Sequence, residues 1–492
     1  FMPAFRRCQI RLSQTCSNNF SPRERKKVLV IGAGISGLSV AYRFKDSSFY
    51  DVEIVEARNR VGGRIFPHLL MDGKTRVDLG GQWVHEATLQ NPIRNVMEEL
   101  LLPHTSLFVE DNDDKRNQTD NFILYGSDGI AIDPKRRKQL EDFYETEISK
   151  IKMNSWKDPS KVHKYMSMKD ILDDLCSKNV KYSNSSVDKE IQNALSHYTE
   201  CYEGGRISEL SASLLCQDEL YQYLGGPDRV PKGTYHRLLQ AILSSIEEGR
   251  NHNNTKIRYN SIVSTLQYSN HLDPNNNSNN IQLTLQCGTE LYGDYCVCTL
   301  PLGVLQRETV QFHPPLPNSK MKAINAMGMG ILNKVILKFD QCFWDTSGGA
   351  FFTITDVNLT NVKTFYDATP DVGAPVLIMF LGGDAAWRIG IQITEDEAVQ
   401  EAMNRLKIVY GDTIPEPVES KVTTWNLDPY SYGSYSFAKV GSDKSDYDEV
   451  ARPLGHLLFA GEHTSTNAHS TVHGAWATGV REAERLEAYA KL

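Results

Sequence analysis

The sequence predicts an α/β protein built on a dinucleotide-binding βαβ unit, and three stretches carry that prediction. Val28–Ile31 is a four-residue apolar run of the kind that forms a strand buried on both faces, and it opens directly into GAGISG at Gly32–Gly37. A second apolar strand, Val52–Val55, ends in Glu56. Far down the chain a short strand, Leu457–Ala460, is stopped by Gly461 and Glu462, and a small-residue helix follows from about Val472 through Ala475, Gly479 and Ala483.

Each part has a physical use. Gly32 permits the tight turn, Gly34 lets the backbone approach a pyrophosphate, and Gly37 lets the helix from about Ser36 to Phe44 lie close to the sheet. Free N–H groups at the helix start face phosphate, and the Glu56 carboxylate can accept two hydrogen bonds from a ribose diol. Just past Glu56, RNRVGGR at Arg58–Arg64 adds two more glycines and three arginines. That segment can cover a second stretch of pyrophosphate and lead toward an isoalloxazine ring, which favours FAD over a nicotinamide. The N-terminus of the tail helix can hold a second anion-like group.

Next comes DLGGQWVHE, Asp78–Glu86, a two-glycine turn that puts Trp83 either in a core or on a flavin-lining loop. From about Asn91 to Asp228 the composition shifts to helices and polar loops, with Leu140, Phe143, Tyr144, Ile148 and Ile151 on one helical face, as in an inserted helical domain. A turn and an amphipathic helix start at Val230. Ile257–Tyr268 and Ile281–Leu285 read as strands around an exposed hairpin loop, DPNNNSNN, and Tyr292–Leu300 as a buried strand. In GMGILNKVILKF, Gly328–Phe339, Val335, Leu337 and Phe339 share one strand face and Lys334, Ile336 and Lys338 the other. By itself a strand lysine reads as a solvated edge charge.

With 492 residues the chain has room for two domains and a large core. Its 40% hydrophobic and 23% charged content is that of an ordinary globular protein, and the net charge of −8 argues against nucleic acid and suits a cationic substrate. The longest apolar run, near Val376–Leu381, is strand-sized, so no membrane span is expected. Nine scattered cysteines form no disulfide framework, and Cys296 and Cys298 read as buried small residues rather than a metal site; no metal is expected. Sequons start at Asn117, Asn184, Asn253, Asn276 and Asn358 and would permit glycosylation of a secreted chain. Residues 1–27 are rich in Arg and Ser, like a transit segment or disordered arm, without the apolar core of a secretory signal. Ala490-Lys491-Leu492 is similar to the SKL-type peroxisomal address, so a peroxisomal import receptor is an expected partner and the peroxisome the expected location, with cytoplasm or secretion as alternatives.

Taken in order, GAGISG with Glu56, VGGR ending at Arg64, DLGGQWVH, NKVILKF, WNLDPYSYGSYS at Trp425–Ser436, FAGEHTS and TVHGA resemble a family. The chain resembles the flavin amine oxidases of the polyamine oxidase type, a group that includes monoamine oxidases and lysine-specific histone demethylases, from about Lys27 to Leu486. The resemblance implies a two-domain flavin amine oxidase fold. A Rossmann-like FAD-binding domain would come from residues 25–92, 229–316 and 422–487, and a mixed-sheet and helical substrate-binding domain from 93–228 and 317–421, after an N-terminal arm at 1–24.

It also implies roles. Glu56 would bind the adenosine ribose, Arg64 lie by the phosphates, Val263 contact adenine through its backbone, Glu462 sit at the ribityl-phosphate portion, and the backbone at Thr471 and Val472 face the flavin pyrimidine edge. Gly32, Gly34, Gly37, Gly80, Gly81, Gln82, Trp83 and Trp425 complete the cofactor set. Lys334 matches the family lysine that reaches flavin N5 through a water, which overrides the solvated-edge reading, and Tyr435 matches one wall of an aromatic pair framing the amine. Thr471 replaces the other wall of monoamine oxidases and plant enzymes, widening the site, and Ser434 stands where monoamine oxidases hold flavin through cysteine, so FAD should be noncovalent. His85 matches a histidine of animal back-converting enzymes; Gln82 and Glu203 join it toward the substrate, with Glu86 and Glu200 as rival tunnel acids.

The implied reaction is hydride transfer from the carbon beside a neutral amine nitrogen to flavin N5, then hydrolysis to an aldehyde and a shorter amine, with oxygen releasing hydrogen peroxide. Spermine, spermidine or their acetylated forms are the expected substrates. Histone lysine demethylation is the runner-up: the chain has no room for a chromatin module before Lys27, and the insert lacks a long heptad run. A catalytically silent flavin-binding module is the third reading, opposed by Lys334 and Tyr435.

Overall fold

A computed structural model describes residues 25–101, 106–109, 122–157, 165–178, 185–212, 226–250, 255–269, 280–346 and 350–490. The arm at 1–24, the sequons at Asn117, Asn184, Asn253 and Asn276, nearly all of the DPNNNSNN loop, Lys491, Leu492 and the Ile151 side chain lie outside the described residues.

Two bodies of sheet hold the molecule. A five-stranded, all-parallel sheet runs in the order Leu457–Phe459, Tyr295–Cys298, Lys26–Ile31, Tyr50–Val55, Thr255–Arg258. Parallel neighbours need crossovers, and the helix Ile35–Phe44 supplies the one between Lys26–Ile31 and Tyr50–Val55. The C-terminal helix Val472–Tyr489 lies against it so closely that a Cβ on Gly479 would meet Ser36 O at 2.1 Å and Ser39 Oγ at 2.0 Å. Cys296 and Cys298 are both buried in their strand. The second body is a six-stranded sheet, Glu419–Val422, Asn333–Lys338, Val376–Leu381, Lys363–Asp367, Phe351–Ile354, Ile123–Tyr125, antiparallel except for its last pair. Helices Pro134–Lys157, Met168–Lys178 and Ser186–Glu203 pack beside it, with Leu140 and Tyr144 buried and Phe143 and Ile148 packed on the same cluster.

Three expected strands are each two. Ile257–Tyr268 breaks at Asn260, whose φ of 51° no strand accommodates, into Thr255–Arg258 of the parallel sheet and Val263–Tyr268 of a separate four-stranded sheet. Tyr292–Leu300 divides after Gly293, which packs on Leu29 and lets the chain pass from that sheet to the parallel one. Gly328–Phe339 divides as well: Gly328–Gly330 pairs with Tyr435–Phe437, and Asn333–Lys338 is a central strand. Lys334 is therefore no solvated edge charge; it is 2% exposed.

Candidate active site

A cavity of about 1450 Å³ runs between the two bodies. Gly32, Gly34, Glu56, Arg64, Gly80, Gly81, Gln82, Trp83, Val263, Trp425, Glu462, Thr471 and Val472 line it, as do Lys334, His85, Glu203 and Tyr435. Gly37 lies beneath, where a Cβ would sit 2.0 Å from Gly32 O, so the helix can approach the turn only as glycine. Gly34 is different: it starts the helix, and a Cβ there would meet nothing within 4 Å. Its open side is the cavity. The second glycine turn lies on the first, with Gly62 N donating to Ala33 O at 2.8 Å and a Cβ on Gly63 falling 3.3 Å from the Gly34 Cα.

The acids at this end are already anchored. Glu56 accepts Ala33 N at 2.7 Å and Arg58 N at 2.8 Å, leaving carboxylate lone pairs for a ligand. Glu462 accepts from Arg64 Nη1 at 2.7 Å, Ser436 Oγ at 2.6 Å, Ser436 N at 3.2 Å and Ser470 N at 2.8 Å. Burial alone would raise its carboxyl, but Arg64, His463 and Ser436 bring it down to about 2.

The loop 78–83 is pinned by five hydrogen bonds. Lys334 Nζ donates to Asp78 O at 2.8 Å, Gly80 O at 2.9 Å and Gln82 Oε1 at 2.9 Å, Trp425 Nε1 to Leu79 O at 3.1 Å, and Tyr235 OH to Trp83 O at 2.9 Å. Burial pulls the Lys334 ammonium below its ordinary range while the Asp78 carboxylate pushes it back. The Asp78 carboxyl is raised by the same burial and opposed by Lys334, and its Oδ1 has no partner among the described residues. Trp83 packs on Phe351, Tyr366 and Phe380 while still facing the cavity, so both expected roles hold together.

Tyr435 OH donates to Cys201 O at 2.6 Å, and its ring lies on Gly204, where a Cβ would be 2.5 Å from Cε2. Gly204 also ends the Ser186–Glu203 helix at φ 78°, so one glycine serves the cap and the ring. Thr471 is the N-cap of the C-terminal helix, accepting Gly474 N at 2.9 Å and donating to Ala468 O at 2.7 Å. Ser434 Oγ accepts Leu332 N at 2.9 Å and donates to Leu332 O at 3.0 Å. Of the three rival acids, Glu86 and Glu203 line the cavity and Glu200 does not; it accepts Ile207 N at 3.0 Å and packs over Gly383. Sequence reasoning passed over Asp228, His473, Tyr198 and Tyr202, which line the same end. His473 stood inside the TVHGA block, a signal that was present; Asp228 lay in a turn with none.

Residues 35–486 match the family model described as flavin containing amine oxidoreductase. The chain belongs to that family. Members resembling it include the Arabidopsis thaliana "Lysine-specific histone demethylase 1 homolog 3", 31% identical over 94% of this chain and 30% of that protein, and the Arabidopsis "Polyamine oxidase 2", 29% identical over 97% of this chain and 93% of that protein. The chain spans 30% to 58% of the length of the first five relatives it matches. Among solved structures, a wild-type putrescine oxidase bound to putrescine shares the fold with a TM-score of 0.71 at 17% identity, covering 94% of this chain and 99% of that one. As a flavin amine oxidoreductase the protein uses FAD, and the cavity fits it: the space at Gly34, the free lone pairs of Glu56 and the N-terminus of the Ile35–Phe44 helix meet a dinucleotide's phosphates and ribose. Among the described residues no group of His, Cys, Asp or Glu is placed to hold a metal, and no helix is long and apolar enough to cross a membrane.

Proposed function

We propose that the protein is a polyamine oxidase that uses dioxygen, acting on a secondary amine of spermine, spermidine or their acetylated forms. The observation carrying this is the wall beyond Lys334. It includes apolar Phe351, Phe380 and Leu195 as well as Glu86, Glu203 and Asp228 with Tyr198, Tyr202 and Tyr435. Methylene segments suit the first group and ammonium groups the second. The name of the Arabidopsis relative "Polyamine oxidase 2" supports the same reading.

Gly32, Gly34, Gly37, Glu56, Arg64, Val263 and Glu462 hold the cofactor's adenosine and phosphates, and Gly80, Gly81, Gln82, Trp83, Trp425, Thr471 and Val472 surround its ring. When bound, FAD accepts the hydride leaving the carbon beside the nitrogen; the products are an aldehyde, a shorter amine and hydrogen peroxide. Lys334 keeps a positive charge beside the ring, and Tyr435, fixed by Cys201 O and Gly204, presents one aromatic wall to the amine. With a serine hydroxyl at Ser434, the FAD is held noncovalently, and acid precipitation should release it.

Demethylase-named relatives at 30% to 31% identity favour methyl-lysine as a second reading. Anaerobic mixing decides: spermine should bleach the flavin faster than a methyl-lysine peptide, and the reverse order, or no bleaching by any polyamine, overturns the proposal. We further propose peroxisomal import through Ala490-Lys491-Leu492; deletion of these three residues should leave the protein cytosolic, and unchanged targeting would remove the idea.

A further inference from the structure

One polar side chain on the cavity wall is buried without a partner. His473, in the first turn of the Val472–Tyr489 helix, is 6% exposed, and no described residue hydrogen-bonds its imidazole. A buried polar group left unsatisfied in a native fold calls for a ligand or water. The titratable groups that face it are Asp228 and His85, which come from two other segments and line the same cavity.

Asp228 is anchored rather than spent. Its Oδ2 lies 2.8 Å from His85 Nδ1 and its Oδ1 accepts Glu86 N at 3.0 Å. These contacts outweigh burial and hold the carboxyl below its ordinary range, so it is an anion. A carboxylate has about four lone-pair positions, so about two remain. The side chain is 42% exposed at the cavity wall. Glu86 takes a left-handed φ of 48°, which turns its N–H toward Asp228. His85 faces Asp228 through Nδ1 and so fixes the carboxylate on the cavity wall. Burial lowers His473 to about 4, so its imidazole is neutral near pH 7. The ring of Tyr202 stands edge-on to His85 at 6.4 Å.

We propose that Asp228 and His473, with His85 positioning the carboxylate, form an ammonium subsite that holds an amine group of the substrate other than the one being oxidised. An alkyl-ammonium has three N–H donors and one positive charge. Here it meets one carboxylate for the charge and the lone pair of the neutral His473 imidazole, a set that would suit neither an anion nor an apolar tail. The identity of the ligand as a polyamine rests on the function proposed above; the subsite itself rests on the three side chains.

The test uses the FAD-loaded full chain without oxygen, with diaminooctane bearing an amine at each end and octylamine bearing one. Calorimetry should show the diamine binding more tightly than octylamine. Asp228→Asn should weaken the diamine at least about tenfold and His473→Phe about fivefold. His473→Gln, which keeps an acceptor, should stay within about threefold, and octylamine should change less than about twofold throughout. Melting temperature and flavin spectrum check folding, and because Asp228 is exposed its variant carries the test even if His473→Phe does not fold. Diamine affinity within twofold of wild type in Asp228→Asn, or a wild type that prefers octylamine, overturns the subsite. Spermine bleaching is scored separately. Asp228-dependent diamine binding without bleaching removes the oxidase reading and keeps the subsite; bleaching with an unaltered spermine KM in Asp228→Asn does the opposite.

Discussion

The two ends of the cavity are built from different materials. Around Gly32–Glu56 and Glu462 the wall is backbone and glycine, and its carboxylates are held in place by neighbouring N–H, hydroxyl and guanidinium donors. Around His85, Asp228 and Tyr435 it is ionisable and aromatic side chains from separate segments, and one lining residue, His473, has no hydrogen-bond partner among the described residues. A dinucleotide has a fixed shape and can be met by a finished frame. A charged, flexible amine needs acceptors left open, which a protein can tolerate only where water or substrate completes them.

Lys334 joins the ends, and replacing it should have the largest effect. Lys334→Met is expected to keep FAD bound while slowing anaerobic flavin reduction by about 10²–10³-fold, the usual loss for one preorganised charged donor. Stopped-flow bleaching checks it; an unchanged rate would confine Lys334 to holding the loop 78–82. Because the Asp78 anion raises the Lys334 pKa against burial, Asp78→Asn should move any Lys334-dependent limb of the pH–rate profile to lower pH.

Glu462→Gln should act instead on stability, since it leaves the half-buried Arg64 without its anion, at about 3 kcal/mol, the low end for a broken buried pair. The sign of its pH dependence follows from a folded pKa of about 2 against an ordinary 4.5. The unfolded chain binds the extra proton, so the stabilisation is complete above about pH 4.5 and is lost as pH falls toward 2. Melting curves of the variant should lack that acid slope; an equal slope in both proteins would assign it elsewhere.

The glycines separate frame from ligand. Gly37→Ala drives a Cβ to 2.0 Å from Gly32 O, overpacking that should cost about 1–3 kcal/mol with or without cofactor. Gly34→Ala meets nothing in the protein, so apoprotein stability should hold while FAD affinity falls about tenfold. Equal FAD affinity in Gly34→Ala would mean that the phosphates do not approach that carbon.

These contrasts also explain what could be read from the sequence. Gly32, Gly34, Gly37 and Glu56 are legible because one turn fixes their spacing, and the helical face through Leu140 and Tyr144 is legible because its period is local. The burial of Lys334 is not local: it follows from Val376–Leu381 and Glu419–Val422 flanking its strand, and alternation within Gly328–Phe339 gave no sign of either. The strand breaks at Asn260 and Gly293 are short, with strand-forming residues on both sides, and the change of sheet that they allow exists only in the fold. Asp228 and His85 meet across 143 residues, so their pairing exists only in the fold. Family resemblance supplied Lys334 and Tyr435, and missed Asp228.

The smallest expected effect falls at Thr471, which lies between frame and substrate. Its hydroxyl caps the C-terminal helix, so Thr471→Ala should cost about 1 kcal/mol and Thr471→Ser, which keeps the oxygen, only a few tenths. The methyl group is lost in both. A spermine KM that changes in Ala alone therefore follows the cap, because a frayed first turn releases Val472 and His473 into the cavity. A KM that changes equally in both follows the methyl group, and Thr471 then belongs with the open end of the cavity despite its satisfied hydroxyl.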